Sequence, residues 1–274
     1  MSGFFAVDTQ HHQRPDHGIV VSYQLGQGPN VLLLHDLAGS ARFWGESLTQ
    51  HVLDQYRVTV LDQRGHGNAA HGVNYQMDAF VADACAVVQE LALVRPVLIG
   101  HGLGAMQAVA VAHAMPAVVR GLILLDPPWF DAPVSVVDIE VQQASWQHQL
   151  RTFQQMSSAN RVHTISTQAP HWSPVAIEAW SDARVLCDER AVVWLNALAT
   201  PVAEQLALIQ HPVLLLSGDV TRGAYLHEDM GAHVAAKLLK CQHTHITEGG
   251  HDMHHDRPST YMRAIRRFLR TLAA

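Results

Sequence analysis

The hydrophobic pattern divides the chain into short unbroken apolar runs and longer stretches with helical spacing. Val31-Leu32-Leu33-Leu34, Val97-Leu98-Ile99, Leu122 to Leu125 and Val213-Leu214-Leu215-Leu216 are continuous runs, as expected of strands covered on both faces. Gly18–Tyr23, Tyr56–Leu61 and the weaker Thr244–Thr247 read as further strands, the first at a sheet edge. Between them lie helical patterns. Met77 to Leu93 places Phe80, Ala84, Val87, Val88 and Leu91 on one face, and Ala105, Ala108, Val109, Ala112 and Met115 recur at helical spacing. Shorter helices are expected through Phe43, Trp44 and Leu48 and near Ala224–Leu239. From Ser259 to Leu272 the pattern is amphipathic, with Tyr261, Ile265, Phe268 and Leu272 inward and Arg263, Arg266, Arg267 and Arg270 outward. Residues 1–17 are polar and His-rich and read as a loose lead-in. Strands alternating with helices predict the α/β class: a mainly parallel, twisted sheet with right-handed crossovers and helices on both faces.

The alternation stops from about Trp129 to Leu206. Five tryptophans fall here (Trp129, Trp146, Trp172, Trp180 and Trp194), with proline breaks at Pro170, Pro174 and Pro201. This region reads as a helical cap, residues 129–206, inserted into a core formed by residues 1–128 and 207–274.

Chemistry in such sheets gathers at the carboxyl ends of the strands. His35, Asp62, Gly102 and Asp126 all fall there. Gly100-His101-Gly102-Leu103-Gly104 has the spacing of a nucleophile elbow, G-x-S-x-G, a tight strand-to-helix turn that lifts one side chain over the sheet. The outer places need small residues because the strand and helix backbones nearly touch. The middle place, which should carry the attacking group, is Gly102.

Composition adds limits. The chain has 274 residues, 48% of them hydrophobic, and a formal charge of −6. This suits one large core and a small-molecule substrate. It gives no ground for a nucleic-acid or membrane partner. Cys85, Cys187 and Cys241 are scattered and form no C-x-x-C, which fits buried thiols in the reducing cytoplasm. The N-terminus shows no signal-peptide pattern. His243, His245, His251, His254, His255 and Asp252 invite a zinc hypothesis, but their spacing matches no zinc signature. No metal or other cofactor is expected.

Five landmarks together resemble the α/β-hydrolase superfamily, in its order and spacing. His35-Asp36-Leu37-Ala38-Gly39-Ser40 is similar to its H-G-x-G-G-S loop and Asp62-Gln63-Arg64-Gly65-His66-Gly67 to its D-x-R-G-x-G loop. The elbow follows, then Ser217-Gly218-Asp219 at the place of the acid and Gly250-His251 at the place of the histidine. The resemblance implies an α/β-hydrolase fold with an inserted cap. It implies a proton-transferring His251 partnered by Asp219, with Asp126 as the alternative acid, and an oxyanion hole from the amides of Leu37 and Leu103. The substrate implied is an ester, a lactone or a related acyl compound.

Two places depart from the pattern. Gly102 cannot attack, and Asp36 replaces a glycine beside the oxyanion hole, where a carboxylate would oppose a developing anion. Asp36 is expected to turn away and accept hydrogen bonds from loop amides. Three readings of Gly102 stay open. It is a serine-to-glycine replacement in a hydrolase, which a serine at 102 would reactivate. Alternatively, the enzyme is a cofactor-independent lyase, decarboxylase or dioxygenase that uses His251 and its carboxylate as a base. The third reading is a binding protein without catalysis. Candidate substrate contacts are Asp36, His101, Trp129, Trp146 and Trp172, with core packing as the alternative for the tryptophans. His35, Arg64 and His66 read as residues that fix their loops.

Overall fold

The computed structural model describes residues 8–16, 18–45, 55–72, 74–130 and 134–273. Eight strands form one sheet: β1 (Asp8–Gln13), β2 (Ile19–Leu25), β3 (Asn30–Leu34), β4 (Arg57–Asp62), β5 (Val97–His101), β6 (Gly121–Leu125), β7 (Val213–Gly218) and β8 (Cys241–Ile246). Their order across the sheet is β1-β2-β4-β3-β5-β6-β7-β8. β1 pairs antiparallel with β2 and β2 with β4; every later pairing is parallel. The apolar runs are the central strands, and each of β3, β5, β6 and β7 is buried almost end to end. Alternate side chains feed two apolar layers, Leu32, Leu98, Leu122 and Leu215 on one face, Leu33, Ile99, Ile123 and Leu214 on the other.

Helices α1 (Met77–Glu90) and α2 (Leu103–Ala114) cross between early strands. Between β6 and β7 come α3 (Val136–Gln155), α4 (Ser158–Gln168), α5 (Pro174–Val185), a 3-10 stretch over Glu189–Ala199 and α6 (Val202–Ala207). Four of these starts are capped by side chains that accept a first-turn amide: Ser135, Ser157, Ser173 and Asp188. Pro174 sits at the first turn of α5, where its missing N–H costs nothing. After β7 come α7 (Glu228–Lys237), the short α8 (Met253–Asp256) and α9 (Pro258–Ala273). On α9, Tyr261, Ile265, Phe268 and Leu269 are buried against the sheet, the last three each contributing about 1.5–3 kcal/mol of transfer free energy. Among the described residues no helix is long and apolar enough to cross a membrane.

The differences from the sequence reading lie at the margins. Asp8–Gln13, expected as a loose lead-in, is a strand that takes the edge, so that β2, expected there, lies between β1 and β4. β1 has no apolar alternation; its ladder to β2 and the buried His12, bonded to Ser22 and Glu90, hold it. A 3-10 turn covers Ala41–Trp44, while Leu48 lies outside the described residues. The helix expected over Ala224–Leu239 spans only Glu228–Lys237, because Tyr225 and Leu226 give their amides to a side chain of the site.

Candidate active site

The site is built on the turn between β5 and α2. Gly102 has φ +54°, a conformation that glycine adopts without strain. Its neighbours are small of necessity. A Cβ at Gly100 would meet the backbone of Gly104 and Ala105, and one at Gly104 would meet the carbonyls of Leu34 and His35. The elbow is therefore complete in backbone.

The place above Gly102 is filled by Asp36. A Cβ at Gly102 would overlap the Asp36 carboxylate, carbon and both oxygens. Asp36 Oδ1 accepts the Leu103 amide at 2.6 Å, and Oδ2 lies 2.9 Å from His251 Nε2. The expectation that Asp36 turns away is thus overturned: its carboxylate points inward, onto the amide expected to hold an oxyanion. The physical reason is the absent side chain at 102. It leaves room for a carboxylate beside an N–H donor and a cationic ring.

His251 Nδ1 lies 2.7 Å from Asp126 Oδ2. Asp126 is fully buried at the end of β6 and is fixed by the amides of Tyr225 and Leu226, at 2.9 and 2.8 Å. Of the two candidate acids, Asp126 meets the histidine. Asp219 instead accepts from the Glu248 amide at 2.6 Å and lies 2.9 Å from His245 Nε2. The expected Asp219–His251 pair does not form, because Asp219 caps the loop before His251 and leaves the ring to Asp126.

Burial works against charge on His251, but its bonds to Asp126 and Asp36 outweigh burial and raise its pKa well above the ordinary value. Burial also opposes ionisation of Asp36, yet the bond and charge of His251 and the Leu103 amide hold its carboxyl at about 2. At neutral pH Asp36 is a carboxylate and His251 an imidazolium, with Asp126 against the far nitrogen of the ring. The linkage signs are opposite. The His251 contribution to stability is complete below its unfolded value and is lost as pH rises through the raised folded value. The Asp36 contribution is present above the ordinary carboxylate range and is lost as pH falls toward about 2. Proton NMR titration of the imidazole tests the assignment. Asp126→Asn and Asp36→Asn each lower the His251 titration point, whereas Asp219→Asn leaves it in place; a shift with Asp219→Asn alone would return the acid role to Asp219.

The other candidates separate clearly. His101 stacks on His251, ring centroids 4.2 Å apart, and its Nε2 lies 2.9 Å from the His251 carbonyl. Burial, then the charge of His251, lowers its pKa to about 4, so it is a neutral support. Trp129 is core: it is buried, bonds Gln205, and lines no cavity of the site. Trp172 gives its Nε1–H to Asp256 and lines an outer cavity of about 430 Å3 beyond His251. Trp146 walls two inner cavities. His35 accepts the Gln63 amide and His66 the Ala38 amide, and Arg64 is paired with Asp83 and Asp16. These three fix loops. Leu37 and Leu103 are buried beside Asp36.

Asp36 faces both inner spaces. One, about 130 Å3, is lined by Asp36, His251, Tyr225, Trp44, Arg184 and Asp252, among others; the second, about 30 Å3, has Leu37, Leu103, Phe130, Leu195 and Leu198 on its wall beside Gln142 and Tyr225. Tyr225 and Arg184 were not singled out by the sequence. Neither sits in a motif; Tyr225 packs against His251, ring centroids 4.7 Å apart. The histidines of the supposed zinc cluster are dispersed. His243 and His245 meet Ser217, and His254 and His255 pack on Phe43. His101, His251 and Asp252 do bring ligand atoms within 4.8 Å of one another, but both nitrogens of His251 are already engaged by carboxylates.

A family model described as the alpha/beta hydrolase family matches residues 31–264, most of the chain and every element of this centre. The chain belongs to the α/β-hydrolase family. Within it, the sn-1-specific diacylglycerol lipase ABHD11 of Mus musculus is 26% identical over 266 residues, covering 91% of this chain and 85% of the relative. The 2-(acetamidomethylene)succinate hydrolase of Mesorhizobium japonicum is 29% identical over 102 residues, 37% of this chain and only 36% of the relative. A crystal structure of E-2-(acetamidomethylene)succinate hydrolase superposes with a TM-score of 0.80 at 18% identity, over 96% of this chain and 99% of that one. The α/β-hydrolase fold is shared over nearly all of the chain.

Proposed function

We propose that this protein is a hydrolase of small molecules in which the Asp36 carboxylate takes the part of the missing serine. The observation that carries the reading is the double contact of Asp36. One oxygen rests on the elbow amide of Leu103, and the other faces the His251–Asp126 pair. A carboxylate so placed is ionised, oriented and open to two cavities.

The chemistry follows from the charges. Asp36 Oδ2 attacks a carbon that bears a leaving oxygen, and the carbon–oxygen bond breaks. The departing oxygen takes the proton from His251 Nε2. Asp36 is now a neutral ester, His251 loses that anionic partner, and the imidazole is left neutral beside Asp126. It can then take a proton from water. The hydroxide adds to Asp36 Cγ, the oxyanion lies on the Leu103 N–H, and collapse expels the alkoxide. The alkoxide takes the proton of the regenerated carboxyl. Substrate and water are consumed, and the enzyme returns to its starting charges.

This chemistry suits strained or activated carbon–oxygen bonds, as in epoxides and small lactones. Simple acyl esters fit less well, because Asp36 occupies the amide that their oxyanion needs and would form a high-energy anhydride. The base-catalysed lyase or oxygenase reading also fits less well, since Nε2 of His251 is occupied and the ring is cationic.

A single turnover in 18O-water decides the step. The label is expected in the Asp36 carboxylate, read by mass spectrometry of its peptide. Label entering product directly, with Asp36 unlabelled, would overturn the proposal. The pH profile gives a second test. Ring opening needs ionised Asp36 and protonated His251, so its rate is flat through neutrality and falls in alkali as His251 loses its proton. A serine hydrolase, whose histidine must be neutral, rises over the neutral range.

A further inference from the structure

Arg184, near the end of α5, lines the same 130 Å3 cavity as Asp36 and His251. Its guanidinium lies over the Trp180 ring, 3.1 Å from the centroid. This stacking fixes the plane of the fork while leaving its edge free. Among the described residues, that edge donates no hydrogen bond and has no carboxylate within ion-pair distance. Arg64, by contrast, is engaged by Asp83, Asp16 and the Asn74 carbonyl. Asp252 and Asp36, which line the same cavity, attract Arg184 without forming an ion pair with it. Burial lowers the Arg184 pKa only to about 10, so the group is charged at neutral pH. Arg184 is half-buried, and a charged guanidinium held against a ring, with donors facing the cavity, offers a planar fork that matches a carboxylate entering it. On the other side of Asp36 is a small space walled largely by Leu37, Leu103, Phe130 and Leu195, with Gln142 and Tyr225 also on its wall.

We propose that Arg184 is a specificity-determining residue that binds a carboxylate of the substrate, so that the substrate class is a small carboxylic acid with an apolar portion beside its reactive carbon. The arrangement places the acid group at Arg184, the reactive carbon at Asp36 and the apolar portion toward Leu103 and Leu195. The inference rests on reading this cavity as the substrate site, and it is independent of which atom attacks.

The test is binding of butyrate against butyramide, its neutral counterpart, followed by quenching of tryptophan fluorescence and by calorimetry. Neither compound carries a group that Asp36 can displace, so the result is separate from the labelling experiment above. The native protein is expected to prefer butyrate about 10-fold or more. Arg184→Gln removes the preference while leaving butyramide binding unchanged. Arg184→Lys keeps part of it, because the charge remains without the planar fork; it also serves as the check if Arg184→Gln fails to fold. Equal binding of the two compounds by the native protein, no saturable butyrate binding, or an undiminished preference in Arg184→Gln would each overturn the proposal.

Discussion

Asp36→Asn is expected to lower turnover by at least about 10^4-fold, the scale on which removing a nucleophile acts. Asparagine matches the shape of Asp36, and its carbonyl oxygen can still accept the Leu103 amide. The melting temperature should therefore change little while turnover collapses. The two outcomes separate the readings of the vacant elbow. If His251 were the sole agent, acting as a base, losing the Asp36 charge would free Nε2 and raise activity. If the protein only bound its ligand, neither form would turn over. Steady-state rates on a panel of epoxides and small lactones, alongside thermal melts, make the measurement. Retention of more than about a tenth of native activity in a folded Asp36→Asn protein would remove Asp36 from the reaction.

Gly102→Ser gives the second large effect, and the structure reverses its sign from the one the sequence suggests. On the motif alone, serine at 102 completes the elbow and should create an esterase. In the folded chain the new Cβ would overlap Asp36. The single variant is therefore expected to lose about 1–3 kcal/mol of stability through overpacking and to gain no activity on a short nitrophenyl ester. Asp36→Gly together with Gly102→Ser removes the obstruction and frees the Leu103 amide. It also returns His251 to one carboxylate partner. The double variant should recover stability and hydrolyse the nitrophenyl ester. Equal esterase activity in the single and double variants would show that Asp36 has no part in the site. The two departures from the family pattern are thus one feature: each residue is tolerable only because of the other.

Much of this was legible in the chain itself. Unbroken apolar runs fixed β3, β5, β6 and β7 because burial on both faces leaves no polar position. The spacing of small residues marked the elbow, since close backbone approach excludes side chains at Gly100 and Gly104. His251 was identifiable through the resemblance to the family, which places its histidine after the last strand. β1 was missed because its residues carry no apolar alternation and its support is a ladder to a strand that the pattern did not pair with it.

What the sequence determined is a mainly parallel sheet and an intact turn for a catalytic group, both written in local pattern and spacing, and, through the resemblance to the family, the histidine that serves it. Only the tertiary structure decided which carboxylates the histidine meets. Asp126 and Asp219 both end strands, and 125 residues separate Asp126 from the ring it holds. Asp36 stands 215 residues from that ring, and 67 from the amide that it accepts. Contacts at such separations depend on the packing of distant strands, so the place emptied at Gly102 and filled by Asp36 could be read only once the chain was folded.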